Sequence, residues 1–263
     1  MHPYRGRTMA GANRSGAERS SEEAEQILGT LGSADLDEFA IVGNYLRFDP
    51  GTRNSLKDFR QRVTASFDAK SSEPRNFLIW GAPGCGKSYL VQQVAAALSP
   101  SVTYRELNLA QLDESGMRAA LEETAAVSGP VLCLIDEVDS KPTATWPYEL
   151  LLPYLEPPKP RANRACFCLA GSGGKSIEEL KERIRSRPKG PDLVSRIAAD
   201  NEVSVPSLGV GDRMLVCITQ LVVAASAEQR EIREIEKLAL YYVATNPALA
   251  NARQLRSLAA QSA

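Results

Sequence analysis

One stretch of eight residues constrains the fold more than any other feature of this chain: Gly81-Ala82-Pro83-Gly84-Cys85-Gly86-Lys87-Ser88. It matches the spacing G-x-x-x-x-G-K-S/T, directly after an apolar run and directly before a stretch with helical periodicity. Glycines allow such a loop to curl, so that successive N–H groups point at phosphate oxygens, and the helix amino terminus adds positive potential. The sequence therefore predicts a strand–loop–helix unit that binds the phosphates of a nucleotide.

The residue types in this loop predict individual contacts. Lys87 is expected to reach the β- and γ-phosphates, and the Ser88 hydroxyl is expected to ligate Mg²⁺. Tyr89 follows the loop and belongs to the candidate nucleotide contacts. A similar run over 171–176 is not a second phosphate loop, because Leu169 stands where the first glycine is required.

A second motif consists of an apolar run over 131–135 that ends in two carboxylates, Asp136 and Glu137. In α/β proteins, ligands bind at the edge of the sheet where parallel strands end. Asp136 is therefore expected to hold the Mg²⁺ shell. Glu137 is expected to orient and polarise the attacking water, since phosphoryl transfer depends on positioning. Asp139 is interpreted as a continuation of the acidic turn rather than as a metal ligand.

Apolar runs alternate with helical patterns through the middle of the chain. Strands are predicted over 77–80, 102–109, 131–135 and 165–170, and helices over 55–67, 88–98, 114–127 and 147–155. Continuous apolar strands between helices indicate an α/β fold, with a mainly parallel sheet covered by helices on both faces. Three further helices are predicted over 212–225, 231–244 and 247–260. The predicted organisation is a disordered or loosely helical tail (1–35), an α/β nucleotide-binding domain (36–206) and a small helical domain (207–263).

Composition excludes several kinds of chemistry. His2 is the only histidine among the 263 residues and lies in the predicted tail, so neither a Ser-His-Asp triad nor a His-ligated zinc site is expected. The five cysteines include no C-x-x-C pair and are interpreted as reduced thiols. With 31 basic and 32 acidic residues, net charge favours neither nucleic acid nor an anionic membrane as a partner. No secretory signal or membrane span is recognised, so a cytoplasmic location without a membrane partner is expected.

The two motifs, which correspond to the Walker A and Walker B motifs, together with the helical segment after the predicted sheet, resemble the AAA+ ATPases over roughly residues 39–260. The resemblance implies a P-loop NTPase fold in which the helical domain, 207–263, forms a lid. It also implies Mg²⁺-dependent hydrolysis of ATP, and a homo-oligomer in the form of a ring or hexamer.

The same resemblance implies roles for residues outside the two motifs. Ser172, after the strand predicted at 165–170, corresponds to a polar sensor residue, although the family usually has Asn or Thr there. Arg196 corresponds to an arginine finger that reaches the γ-phosphate held by a neighbouring subunit. Arg253 resembles a second sensor, with Arg256 as the alternative on the same helix face. For each of these residues a purely structural role stays open.

Ile41 and Val42 lie where the family's segment before the sheet touches the adenine, although core packing explains them equally well. For the function, remodelling of a protein substrate or adaptor is favoured, even though the loop 108–116 lacks the aromatic residue of polypeptide-threading members. A nucleic-acid-associated motor or loader is an alternative, for which only the basic stretch 181–196 offers a surface. A nucleotide-regulated scaffold with little turnover is a second alternative, against which the intact motifs argue.

Overall fold

The computed structural model of the chain describes residues 16–32, 35–68, 76–156, 165–230, 232 and 234–262. The strands are β1 (Ala40–Val42), β2 (Tyr45–Leu46), β3 (Phe77–Trp80), β4 (Thr103–Asn108), β5 (Val131–Asp136), β6 (Ala165–Gly171) and β7 (Glu202–Ser204). The α-helices are α1 (Gly16–Leu31), α2 (Pro50–Ala65), α3 (Lys87–Leu98), α4 (Glu114–Ala126), α5 (Trp146–Leu155), α6 (Ile177–Arg185), α7 (Gly190–Ser195), α8 (Val210–Ala227), α9 (Lys237–Thr245) and α10 (Ala252–Ser262).

Five strands form one parallel sheet in the order β4-β5-β6-β3-β7, and β1 and β2 form a separate antiparallel hairpin. Strand β6 lies between β3 and β5, so Gly171 at its end stands opposite Trp80 at the end of β3. Residues 131–135 of β5 are all buried, as expected for a strand that is covered on both faces. The predicted α/β fold with a parallel sheet is confirmed.

Helices pack on both faces of the sheet and form two apolar cores. On one face, Phe59 of α2 packs edge-to-face against Phe77 of β3, with ring centroids 5.3 Å apart. On the other face, Leu121 of α4, Leu151 of α5 and Leu180 of α6 are fully buried in the second core. The two cores hold the strand ends, and the loops that follow them, in fixed relative positions.

Three α-helices follow the sheet, as predicted, and this helical region is called the lid here. Helix α8 packs on α9 and α10 through Cys217, Val243 and Leu255. Two boundaries differ from the prediction. The helix predicted over 231–244 begins only at Lys237, and the one predicted over 247–260 starts as a 3-10 turn, Pro247–Leu249, before α10 begins.

Helix α8 is, among the described helices, the one that is long and apolar enough to cross a bilayer, where the sequence analysis expects no such run. Its first turn contains Asp212, which is 6% exposed and forms an ion pair with Arg47. Further along the helix, Cys217 is buried against the other lid helices. These contacts bury the first half of α8 within the protein, whereas Val222 and Val223 in its second half are exposed.

Part of the segment predicted as a disordered or loosely helical tail, 1–35, forms the helix α1. Apolar side chains recur at helical spacing along α1, at Ala24, Ile27, Leu28 and Leu31. They therefore share one face, which packs on α8 and α9 beside Met214 and Leu240. The segment contains few apolar residues, but their spacing is sufficient for a helix that covers the lid. Residues 1–15 lie outside the described part of the chain.

Candidate nucleotide-binding site

The loop of residues 81–88 joins the end of β3 to the beginning of α3. Gly86, immediately before α3, has φ +97°, a left-handed conformation that favours glycine. A Cβ atom on Gly81 would lie 2.6 Å from both Cys85 Sγ and the Val205 carbonyl oxygen. The glycines therefore allow the tight turn that sets the first N–H groups of α3 beside the loop, where anions bind.

The Lys87 side chain folds back over the loop and is buried. Its Nζ donates to the Gly81 carbonyl oxygen at 2.7 Å and to Ser172 Oγ at 2.8 Å. Ser172 follows β6, and β6 is the neighbour of β3 in the sheet. The strand order thus brings the predicted sensor residue to the predicted phosphate-binding lysine.

Ser88 and Asp136 also meet at this edge of the sheet. The Ser88 hydroxyl donates to Asp136 Oδ2 at 2.8 Å. Hydroxyl and carboxylate oxygens suit Mg²⁺, which takes one or two protein ligands and completes its shell with waters and substrate phosphates. The described residues contain no group of three or more His, Cys, Asp or Glu that could hold a metal ion. The pair therefore fits a Mg²⁺ ion that binds together with phosphates.

Glu137 follows Asp136 in an unusual backbone conformation. Its φ is +56°, which is uncommon for a residue other than glycine, and such conformations cluster at functional sites. Its N–H donates to Asp136 Oδ1 at 3.0 Å. Burial raises the pKa of its carboxyl group, and the negative charges of Asp136 and Asp139 raise it further, while Lys87 and Arg253 act in the opposite direction. The carboxyl group therefore lies within the electrostatic influence of two cationic side chains.

These side chains line one cleft of about 610 Å³, a volume in the range of small-molecule sites. The predicted residues on its wall are Pro83, Gly84, Cys85, Gly86, Lys87, Ser88, Tyr89, Asp136, Glu137, Ser172 and Arg253. Arg256, the alternative to Arg253, lines the cleft as well. Gly81 and Ala82 are not on the wall, but their carbonyl oxygens accept from Lys87 Nζ.

The β1–β2 hairpin contributes another part of the wall, although not through the residues predicted for the adenine. Asn44, Tyr45 and Leu46 line the cleft. Ile41 and Val42 are only 1% and 4% exposed and pack in the core beside α2 and α3. The structure does not bring these two side chains to the cleft, because β1 is buried and the wall begins at the turn after it.

The lid closes the cleft from the side of α8 and α10. The N–H of Ala252, the first residue of α10, donates to the Gly84 carbonyl oxygen at 3.1 Å. Arg253 follows directly, and α8 adds Val216 and Thr219 to the wall. The contact between Ala252 and the loop therefore fixes where Arg253 enters the cleft.

Arg196 lies apart from this cleft. It caps the end of α7, and its guanidinium pairs with Glu156 at 3.0 Å. It is not among the residues that line the cleft. Within its own chain, therefore, Arg196 is not brought together with Lys87 and Glu137.

Arg47 is one of several residues on the cleft wall that the sequence analysis missed. It lines the cleft, yet it is only 1% exposed and donates to the carbonyl oxygen of Cys85 at 3.0 Å. The available signal was a lone arginine within the otherwise apolar stretch 39–48. A charged residue in such a stretch needs a buried partner, and that partner, Asp212, is distant in sequence.

Residues 77–189 match a family model described as ATPase family associated with various cellular activities (AAA). The matched segment begins with β3 and ends just before α7, and it contains both motifs and Ser172. The search found no matching curated protein. The match confirms the resemblance to AAA+ ATPases and does not specify a subfamily.

Proposed function

Because residues 77–189 form an AAA domain, we propose that the chain hydrolyses ATP with Mg²⁺, as an oligomer that remodels a protein partner. The observation that carries hydrolysis is the 2.8 Å contact of Ser88 with Asp136, adjacent to Lys87 and Glu137. It supports a single site that holds the metal ligands, the phosphate-binding cation and a carboxylate for the attacking water.

In this proposal each side chain has one task. The loop N–H groups and Lys87 bind the β- and γ-phosphates and neutralise charge that develops on them. A Mg²⁺ ion held by Ser88 and Asp136 supplies further charge neutralisation at the phosphate oxygens. Glu137 accepts a hydrogen bond from the attacking water and aligns it, and Ser172 keeps Lys87 at the end of β6.

The proposal of an oligomer rests on Arg196. This arginine is outside the cleft of its own chain, and its side chain is 37% exposed. A finger that reaches the γ-phosphate of a neighbouring chain has to be exposed and distant from its own loop. The side chain meets both requirements, which supports a ring or hexamer in which each site is completed by the next subunit.

A protein partner is favoured over nucleic acid because the basic stretch is largely compensated. Apart from Arg196, its partners are Glu202 for Lys181, Glu182 for Arg185, backbone carbonyls and a tyrosine hydroxyl for Arg187, and Asp192 for Lys189. Nucleic-acid affinity depends on basic side chains that are available to neutralise phosphates. We therefore keep the cytoplasmic protein-remodelling function as the proposal.

The test is the rate of phosphate release by the purified chain at several protein concentrations. We expect turnover that needs Mg²⁺, stops on addition of a chelator, and rises when an unfolded protein is added. Stimulation by single- or double-stranded DNA instead would transfer the proposal to the nucleic-acid class. No phosphate release at any concentration would refute the ATPase.

A further inference from the structure

The guanidinium of Arg47 connects three parts of the molecule. It donates to Asp212 Oδ2 at 3.0 Å, to the Cys85 carbonyl oxygen at 3.0 Å and to the Pro206 carbonyl oxygen at 2.8 Å. Cys85 is in the phosphate loop, Asp212 is in the first turn of the lid helix α8, and Pro206 is in the connection from β7 to α8. One buried side chain therefore contacts the loop, the connection and the lid at the same time.

The Asp212 carboxylate, which pairs with Arg47, also accepts two backbone hydrogen bonds. Its Oδ1 accepts from the Phe48 N–H at 2.7 Å, and its Oδ2 accepts from the Gly209 N–H at 3.0 Å. It thereby joins the hairpin segment to the beginning of α8, where a negative charge also suits the helix dipole. Both charges are buried, at 1% exposure for Arg47 and 6% for Asp212. Separating them would leave an uncompensated charge, so the two are expected to move together.

The bond to Cys85 affects the orientation of a phosphate-binding group. In a planar trans peptide, the carbonyl and the following N–H point in opposite directions. Because Arg47 holds the Cys85 carbonyl oxygen, the Gly86 N–H is directed away from the guanidinium. Gly86 has φ +97°, a left-handed conformation. The loop has to keep this conformation for the Gly86 N–H to point at a bound anion.

We propose that the Arg47–Asp212 pair couples the phosphate loop to the lid, with Arg47 as a positioning residue for the Cys85–Gly86 peptide. The inference rests on the proposed function in that it presupposes ATP binding in this cleft. A shift of α8 moves Asp212, takes Arg47 with it and releases the Cys85 carbonyl. Phosphate binding and the present position of the lid therefore favour each other, and this coupling is reciprocal.

The first test is ATP affinity, measured by calorimetry on the full chain and on the variants Arg47→Met and Asp212→Asn. Asp212 does not line the cleft, so a loss caused by its substitution cannot come from a lost ATP contact. We expect both variants to bind ATP about tenfold or more weakly, because Arg47→Met removes the hydrogen bond to the loop and Asp212→Asn removes the charge that holds Arg47. The double variant should lose less ATP-binding free energy than the sum of the two single losses, because both substitutions break the same link between the loop and the lid.

The second test is hydrogen exchange of the α8 amides with and without ATP. In the full chain, ATP should protect both the phosphate loop and the first turn of α8. In Asp212→Asn, which is nearly isosteric, saturating ATP should still protect the loop but no longer the first turn of α8. Lys181→Met is the matched control, because it breaks a half-buried ion pair with Glu202 elsewhere in the domain. It should leave affinity and protection unchanged.

The outcomes separate this inference from the function on which it rests. A full chain that does not bind ATP would overturn the proposed function and the inference with it. A full chain that binds ATP, with both variants binding equally well, would overturn the inference alone. Retained protection of α8 in Asp212→Asn, or losses as large in Lys181→Met, would overturn it as well.

Discussion

Replacing Lys87 by methionine should remove ATP binding while leaving the nucleotide-free protein almost as stable as before. Lys87 is 6% exposed, and the oxygen partners of its ammonium group are the Gly81 and Ala82 carbonyls and the Ser172 hydroxyl, none of which is charged. A buried cation with only neutral partners is favourable for an incoming phosphate. Without nucleotide, the stabilisation from the hydrogen bonds of the ammonium group is largely offset by the cost of desolvating it.

The structure allows both effects to be estimated. The two short hydrogen bonds, at 2.7 and 2.8 Å, contribute about 1.5–3 kcal/mol each, since the donor is charged. Desolvation of the ammonium costs several kcal/mol, so we expect the unfolding free energy to change by less than about 2 kcal/mol. Loss of a buried charge partner for the phosphates costs about 2–5 kcal/mol, a roughly 30- to 5,000-fold weaker ATP affinity.

Urea unfolding and calorimetry measure the two quantities separately. At about 100 times its dissociation constant, ATP should raise the unfolding free energy of the unmodified chain by about 2.7 kcal/mol. At the same ATP concentration the Lys87→Met variant should gain less than about 1 kcal/mol. Lys175→Met, at an exposed lysine in the β6–α6 loop, is the control and should respond like the unmodified chain. The reasoning would be refuted if Lys87→Met lost more than about 3 kcal/mol without nucleotide, or if it kept its ATP affinity.

Three further predictions concern turnover, assembly and the lid. Glu137→Gln should bind ATP normally but release phosphate at least about 100-fold more slowly, because it loses the carboxylate that orients water; unchanged single-turnover rates would exclude that role. Arg196→Ala should bind ATP but hydrolyse it slowly, and mixing it with Lys87→Ala should restore part of the turnover at mixed interfaces, which a finger acting within its own chain would not do. Gly84→Ala should weaken ATP binding about tenfold, since a Cβ there meets the lid, whereas Gly129→Ala, with no atom within 4 Å, should not; equal effects in both would point to backbone strain alone.

The centre of the sheet could be predicted from sequence because β3, β5 and β6 are buried on both faces. Such strands are continuous apolar runs bounded by polar turns, so 131–135 and 165–170 were located within one residue of β5 and β6. The site followed from the same pattern, since residues directly after parallel strands share one edge of the sheet. The meeting of Ser88 with Asp136 is the direct result.

Other elements carried weaker or more distant signals. Strand β7 has three residues, of which only Val203 is buried, so it shows no apolar run at all. Helix α6 has a clear apolar face with Ser176 as its cap. Its basic residues are also part of the basic stretch 181–196, and no helix was predicted there. The contact of Arg47 with Asp212 spans 165 residues, and no local pattern in one sequence encodes such a pair.

Gly84 shows how the motif and the lid depend on each other. The spacing G-x-x-x-x-G-K-S/T requires no glycine at this position, yet its φ is +78°, and a Cβ would lie 2.7 Å from Asn251 Cβ. The same residue accepts the Ala252 N–H at 3.1 Å. The glycine therefore serves the contact with the beginning of α10, and Arg253 enters the cleft one residue later. A lid that moved away from Gly84 would withdraw Arg253 from the cleft, so this contact makes the position of the second predicted sensor depend on the shape of the loop itself.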